Sequence, residues 1–327
     1  MPIVEEPRCE AALRLRTLMT MNPLIVHIGL HKTGTTWLQR RIFADPAMGY
    51  LSTKNGQSNE ATDAFVTCDP LAFDPDEARK RFQPLLDETH SKGLVPVISQ
   101  ERLSSDPSFG GYYFTDVVDR LVRTFGSVKI LLTIREQRGM LLALYRQAVR
   151  SGGTYTLTQM IGTGKEPTGW APTIRPEYLM YDRMIAHLSE RVGRENVCVL
   201  PLELMRSDPK DYLARLQAFT GASATIEPAM EAENAGLSPL ATRMSTVTNR
   251  FARPNPLGSD QSWRLKFLRS FYWRLDRVMP KGWSKGTSER WKQTIEDRVR
   301  GYYAKSNRRT AELSGFDLKA MGYDLGE

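Results

Sequence analysis

Four short apolar runs, at residues 24–28, 94–99, 128–134 and 197–200, punctuate the first two-thirds of the chain. Each is strand-length and rich in Val, Ile and Leu, the pattern of a strand covered on both faces. Stretches with helical character separate and follow them, at 35–43, 74–88, 114–125, 136–150, 177–192 and 209–219. Strands alternating with helices predict βαβ units and a central, mostly parallel sheet of four to five strands flanked by helices, a P-loop-like three-layer sandwich. Pro96 counts against the second run, because proline removes a ladder donor. Helix 74–88 opens at an Asp-Pro-Asp turn and stops near Lys92-Gly93, with Pro84 predicting a kink or break inside it. The Gly/Pro/Thr-rich stretch 162–176 predicts a loop.

The first run leads directly into His27-Ile28-Gly29-Leu30-His31-Lys32-Thr33-Gly34-Thr35-Thr36-Trp37. A strand, a glycine-bounded turn and a helix start present backbone N–H groups and a positive helix end to a phosphate. Gly29, Gly34 and Thr36 fit the triphosphate-binding G-x-x-x-x-G-K-[ST] pattern, but position 35 is Thr where that pattern needs Lys. The nearby lysine stands three residues earlier, at Lys32. A lysine inside the turn projects towards whatever hangs off the first phosphate. Such a site suits a nucleotide whose single 5′-phosphate carries a transferable group.

The run K-[ST]-G-T-T-W, Lys32 to Trp37, resembles the 5′-phosphosulfate loop of sulfotransferases that use 3′-phosphoadenosine-5′-phosphosulfate (PAPS). The resemblance is to the bacterial and glycan-type branch and extends over about residues 22–323. It implies a PAPS site made by His31, Lys32, Thr33, Gly34, Thr35, Thr36 and Trp37, with Trp37 against the adenine and no metal. Arg135, opening a helix after the third run, and Tyr145 fall in register with the family's R-x(7)-S-x-Y element, whose Arg and Ser hold the donor's 3′-phosphate. Position 143 is Ala, so that serine is missing, and Arg138, Arg146 and Arg150 are candidate substitutes. Glu101, just past the second run, resembles the family's general base, and Lys32 its stabiliser of the departing 5′-phosphate. The implied reaction is in-line sulfuryl transfer to a hydroxyl or amine of a glycan, lipid-linked or small-molecule acceptor, releasing 3′-phosphoadenosine-5′-phosphate. Glu203 reads as structural.

Composition adds limits. The 327 residues are 41% apolar, enough for one large core, and contain no apolar run of membrane-spanning length. Residues 22–327 are expected to form one domain whose basic helical part is 240–327, with 1–21 an extension outside the fold. The acidic start lacks an apolar signal core, so a cytoplasmic location is expected. Cys9, Cys68 and Cys198 have no paired or metal-ligand spacing, and neither have the four histidines. Residues 250–300 hold thirteen Lys/Arg against five Asp/Glu, a net +8 equal to that of the whole chain. No nucleic-acid recognition motif accompanies this charge. Within it, Leu265, Leu268, Tyr272 and Leu275 form a helical stripe, readable as a core-packed helix or, over 263–279, as a peripheral contact with an anionic membrane. An ATP-dependent kinase, a non-enzymatic module for anionic polymers and an inactive relative are the alternatives.

Overall fold

The computed structural model describes residues 22–53, 56–223, 238–252 and 281–326, together with positions 263, 267, 270, 271 and 274. The expected extension at 1–21 and the stripe Leu265, Leu268, Tyr272 and Leu275 lie outside the described residues. Five strands form one wholly parallel sheet: β1 (Ile25–Gly29), β2 (Tyr50–Ser52), β3 (Val95–Ser99), β4 (Lys129–Ile134) and β5 (Val197–Pro201), in the order β2-β3-β1-β4-β5. Almost every strand residue is buried, as expected of a sheet with helices on both faces. Only β2 is absent from the apolar pattern; three residues are too few to show a period. Pro96 is accommodated because the β3 register with β1 starts one residue later, at Val97↔Ile25, so no β1 partner is deprived of a donor.

The helices follow the predicted alternation, with local differences. The stretch 35–43 begins as α1 (Thr35–Trp37) and then widens over Leu38–Phe43, where the Ala44 N–H reaches five residues back to the Gln39 carbonyl at 3.0 Å. Such π windings are often found at functional sites. Pro84 does not end its helix: α2 (Pro75–Lys92) runs through it from the Asp74 cap to left-handed Gly93. The stretch 177–192 becomes a tight turn (Pro176–Leu179) and then α3 (Tyr181–Val192), because Pro176 opens a turn that reaches only to Leu179. Phe114–Phe125 is helical as predicted, and α4 (Gln137–Arg150) leaves β4.

The C-terminal part is helical where described: α5 (Pro239–Ala252), α6 (Lys285–Val299) and α7 (Ala304–Ser314). It packs onto α4. Tyr145 meets Trp291 edge-on with ring centroids 5.2 Å apart, and the Asn249 amide donates to the carbonyls of Val149 and Gly153. Arg138 ties the same face down by donating to Glu136, Glu296 and the Gly322 carbonyl. Among the described residues no helix is long and apolar enough to cross a membrane.

Candidate active site

The sheet order decides where a ligand can sit. The chain leaves β1 towards β2 and β3 and later sets β4 on the other side of β1, so the strand order reverses at β1. Ligands of open α/β sheets bind beyond the carboxyl ends of the strands at such a point. The three neighbouring strands β3, β1 and β4 end there, carrying Glu101, the Lys32 turn and Arg135 respectively. Segments 74 and 103 residues away from Lys32 in sequence (Asp106 and Arg135) thus meet the turn that carries it, Arg135 at the Lys32 carbonyl and Asp106 beside His31.

The turn is built by its backbone. Gly34 has φ +85° and Lys32, unusually for a side-chain-bearing residue, φ +66°. Non-glycine residues held there store about 1–3 kcal/mol of strain, kept only where surrounding contacts impose it. Here the Arg135 guanidinium donates to the Lys32 carbonyl at 3.3 Å, and the Thr33 hydroxyl donates to the Leu30 carbonyl at 2.6 Å. The side chains alternate: Lys32, Gly34 and Thr36 are half-buried, whereas His31, Thr33, Thr35 and Trp37 are buried. Lys32 therefore keeps solvent access at the strand ends, while the Thr33 hydroxyl is committed inside the protein. Trp37, 6% exposed, and Tyr145, 2% exposed, are core side chains, and the Tyr145 hydroxyl lies 3.5 Å from that of Thr246.

Positive charge is concentrated in excess. Burial lowers the pKa of Lys32, and Arg150 and Arg135 lower it further, with Glu101 opposing. Burial likewise lowers Arg135, helped by Arg206 and opposed by Glu203, Tyr181 and Glu136. Lys32 beside Arg150 and Arg135, and Arg135 beside Arg206, with Glu101, Glu203 and Glu136 offsetting part of that charge, make a strand-end site suited to an anion. Because Lys32 is depressed below the ordinary lysine value, it loses its proton at lower pH than a free lysine. Affinity for a phosphate ligand is expected to fall as pH rises below 10.5, the ordinary value, and calorimetry across that range reads it. A pH-independent affinity would contradict contact with Lys32.

The Glu101 carboxylate accepts from the Gln57 amide at 3.3 Å on both oxygens and from the Gln39 amide at 3.4 Å on Oε2. Neither glutamine stands out in the sequence; Gln39 is aimed by the wide winding after α1, which no periodicity announces. Gly56, at φ +72°, lies so close to the Gln39 backbone that a Cβ there would collide with it. Asp106 stands nearby, its carboxyl pushed up by burial and countered by His31 and Arg102. Its Oδ1 is buried with no hydrogen-bond partner among the described residues. His31 is held by the carbonyl of Ser105 at 3.0 Å, a residue itself at φ +102°. Arg206 was missed in sequence, although its place shortly after β5 follows the same strand-end logic. Glu203 is structural as read: it accepts from the Glu136 N–H at 3.1 Å and the Tyr323 hydroxyl at 3.0 Å. Among the described residues no cluster of three His, Cys, Asp or Glu has metal-binding geometry.

Among solved structures, this architecture is shared with a sulfotransferase from Alicyclobacillus acidocaldarius, at TM-score 0.55 and 16% identity over 91% of this chain and 98% of that one. The chain has the sulfotransferase fold. Looser likenesses extend to the sulfotransferase domain of the Synechococcus PCC 7002 olefin synthase (TM-score 0.34, 12% identity, 77% of this chain and 95% of that one) and to that of the curacin biosynthetic pathway (0.34, 10%, 80% and 99%). No protein-family model and no curated relative matches the sequence.

Proposed function

We propose that this chain is a PAPS-dependent sulfotransferase acting on a hydroxyl or amine of a glycan or lipid-linked acceptor. One observation carries the reading: Lys32, held in a strained turn between two arginines, faces the same crevice as a carboxylate fixed by two amides. The excess of cations fits an anionic nucleotide donor. Lys32 and the backbone N–H groups of Gly34, Thr35 and Thr36 hold its 5′-phosphate, while Arg135, with Arg150 and Arg206 in the same field, serves its 3′-phosphate. When bound, PAPS supplies an activated sulfuryl group on a phosphate leaving oxygen.

Glu101 takes the proton from the acceptor as the acceptor oxygen or nitrogen bonds to sulfur. As the sulfur leaves the 5′-phosphate oxygen for the acceptor, Lys32 would balance the charge left on that oxygen. Gln39 and Gln57 hold the carboxylate with its charge unshared by any lysine or arginine at salt-bridge distance among the described residues. Calorimetry separates the donor classes. Binding of 3′-phosphoadenosine-5′-phosphate without magnesium supports the reading; preference for ATP with magnesium overturns it in favour of a kinase.

A lipid-linked acceptor is favoured by the side chains at helical positions 263, 267, 270, 271 and 274. Trp263, Phe267 and Phe271 are 73%, 65% and 49% exposed, and with Ser270 and Arg274 they span one arc of about 100° at helical pitch. Large exposed apolar side chains within a basic segment suit an anionic lipid surface. Co-sedimentation with phosphatidylglycerol vesicles is expected, weakened at least about tenfold in Trp263→Ser/Phe267→Ser, each ring contributing a kcal/mol or more of burial. Equal binding to uncharged phosphatidylcholine vesicles removes the preference for anionic lipid, and binding to neither removes the membrane contact and leaves soluble glycans as acceptors.

A further inference from the structure

Beneath the crevice a line of buried polar side chains crosses the ends of β3, β1 and β4. The Gln39 amide, besides donating to Glu101, donates to Ser99 Oγ at 3.2 Å. Ser99 Oγ lies 2.8 Å from His27 Nδ1, and His27 Nε2 lies 3.4 Å from Thr133 Oγ1. Thr133 Oγ1 is 2.6 Å from Thr33 Oγ1, whose hydroxyl reaches the Leu30 carbonyl. His27, Ser99, Thr133 and Thr33 are each fully buried, and Gln39 is nearly so.

Proton accounting gives the line a direction. The Leu30 carbonyl can only accept, so Thr33 donates to it and must itself accept from Thr133. Thr133 has then given its one proton and accepts from His27 Nε2. At the other end Gln39 spends its two N–H groups on Glu101 and Ser99, so Ser99 is free to donate to His27 Nδ1. One arrangement satisfies every group: a neutral imidazole with its proton on Nε2. The other tautomer strands the Ser99 proton and breaks either the Thr133–Thr33 or the Thr33–Leu30 bond, costly when all are buried. Burial also holds the ring's pKa at about 3, which keeps it neutral. Gly29 leaves room for the ring, since a Cβ there would stand 2.7 Å from His27 Nε2.

We propose that His27 is a positioning residue that joins the Glu101 carboxylate to the phosphate turn through this one directional chain. Through it the base and the turn carrying Lys32 hold a fixed relation although they come from different strands. The catalytic consequence rests on the sulfuryl-transfer reading; the proton arrangement rests on geometry alone.

Two measurements on the full chain test it separately. Long-range proton–nitrogen NMR of histidine-labelled protein is expected to show His27 neutral, protonated at Nε2, throughout the neutral pH range. An Nδ1–H tautomer or an imidazolium overturns the directional chain, whatever the enzyme's reaction. For coupling, Gln39→Leu and Thr133→Val, made singly and together, are expected to depart from multiplicative losses in kcat by at least about threefold, although the two residues do not touch. Thr133→Ser, which keeps the hydroxyl, restores kcat to within about twofold, while Kd for 3′-phosphoadenosine-5′-phosphate changes less than kcat in every variant. Multiplicative losses, or a Ser variant as impaired as Val, overturn the positioning role. If wild-type protein transfers no sulfuryl group, it is the functional reading that fails, and the NMR result still decides the chain.

Discussion

Lys32→Ala is expected to lower turnover by about 10³-fold or more, while thermal unfolding changes little. Removing a single preorganised donor aimed at developing charge commonly costs about 10²–10³ in kcat, and Lys32 is the side chain of the turn that faces the crevice. Its ammonium is half-buried in the field of Arg135 and Arg150. The backbone offers a control that separates charge from fold. Because Lys32 sits at φ +66°, Lys32→Gly relieves strain and is expected to stabilise the protein by about 1 kcal/mol while remaining as inactive as the alanine variant. A variant that is more stable yet dead shows that the lysine serves chemistry and not folding. Turnover within tenfold of wild type in either variant would remove Lys32 from the mechanism.

Glu101→Gln is expected to lower kcat by about 10²–10⁴, the range for losing a general base, with KM for the acceptor changed by less than about threefold. The substitution keeps shape but not function. The new amide still offers one oxygen to Gln39 or Gln57, so the local packing survives, but it cannot take a proton. Glu101→Asp probes position instead: the shorter side chain withdraws the carboxylate from both glutamines, which now contact it at 3.3–3.4 Å. Its kcat is expected to lie between those of wild type and the Gln variant. Were Glu101→Gln to retain near-normal kcat, Asp106, the neighbouring carboxylate with a buried unpartnered oxygen, would become the group to test as base.

The sequence alone was sufficient for four of the five strands, the order of strands and helices, and the strand-end positions of Lys32, Glu101 and Arg135. These are legible because they are local: an apolar run, a glycine-bounded turn and a charged residue after a strand each occupy fewer than ten consecutive positions. Gln39, Gln57, Asp106 and Arg206 were not legible. Gln39 reaches Glu101 because the winding after α1 widens, and that widening accompanies Gly56 pressing on its backbone from a later loop. Trp37 and Tyr145 show the converse. Their spacing fits a nucleotide site, yet tertiary packing buries both, Tyr145 against Trp291 from a helix nearly 150 residues further on.

His27 marks the same boundary. As a letter it is one polar residue in an apolar strand, and its i, i+4 relation to His31 carries no chemistry because one lies in a strand and the other in a turn. Only the sheet order, β3-β1-β4, sets Ser99 on one side of its ring and Thr133 on the other. The displaced lysine, by contrast, needed no fold to be noticed. The chain by itself determined which groups are available and on which strand ends they ride, because hydrophobic periodicity and turn chemistry act over short range. Which of those groups meet, which cations crowd one another and which way the buried protons point were decided by strand order and packing, since those contacts join residues about forty to more than a hundred positions apart.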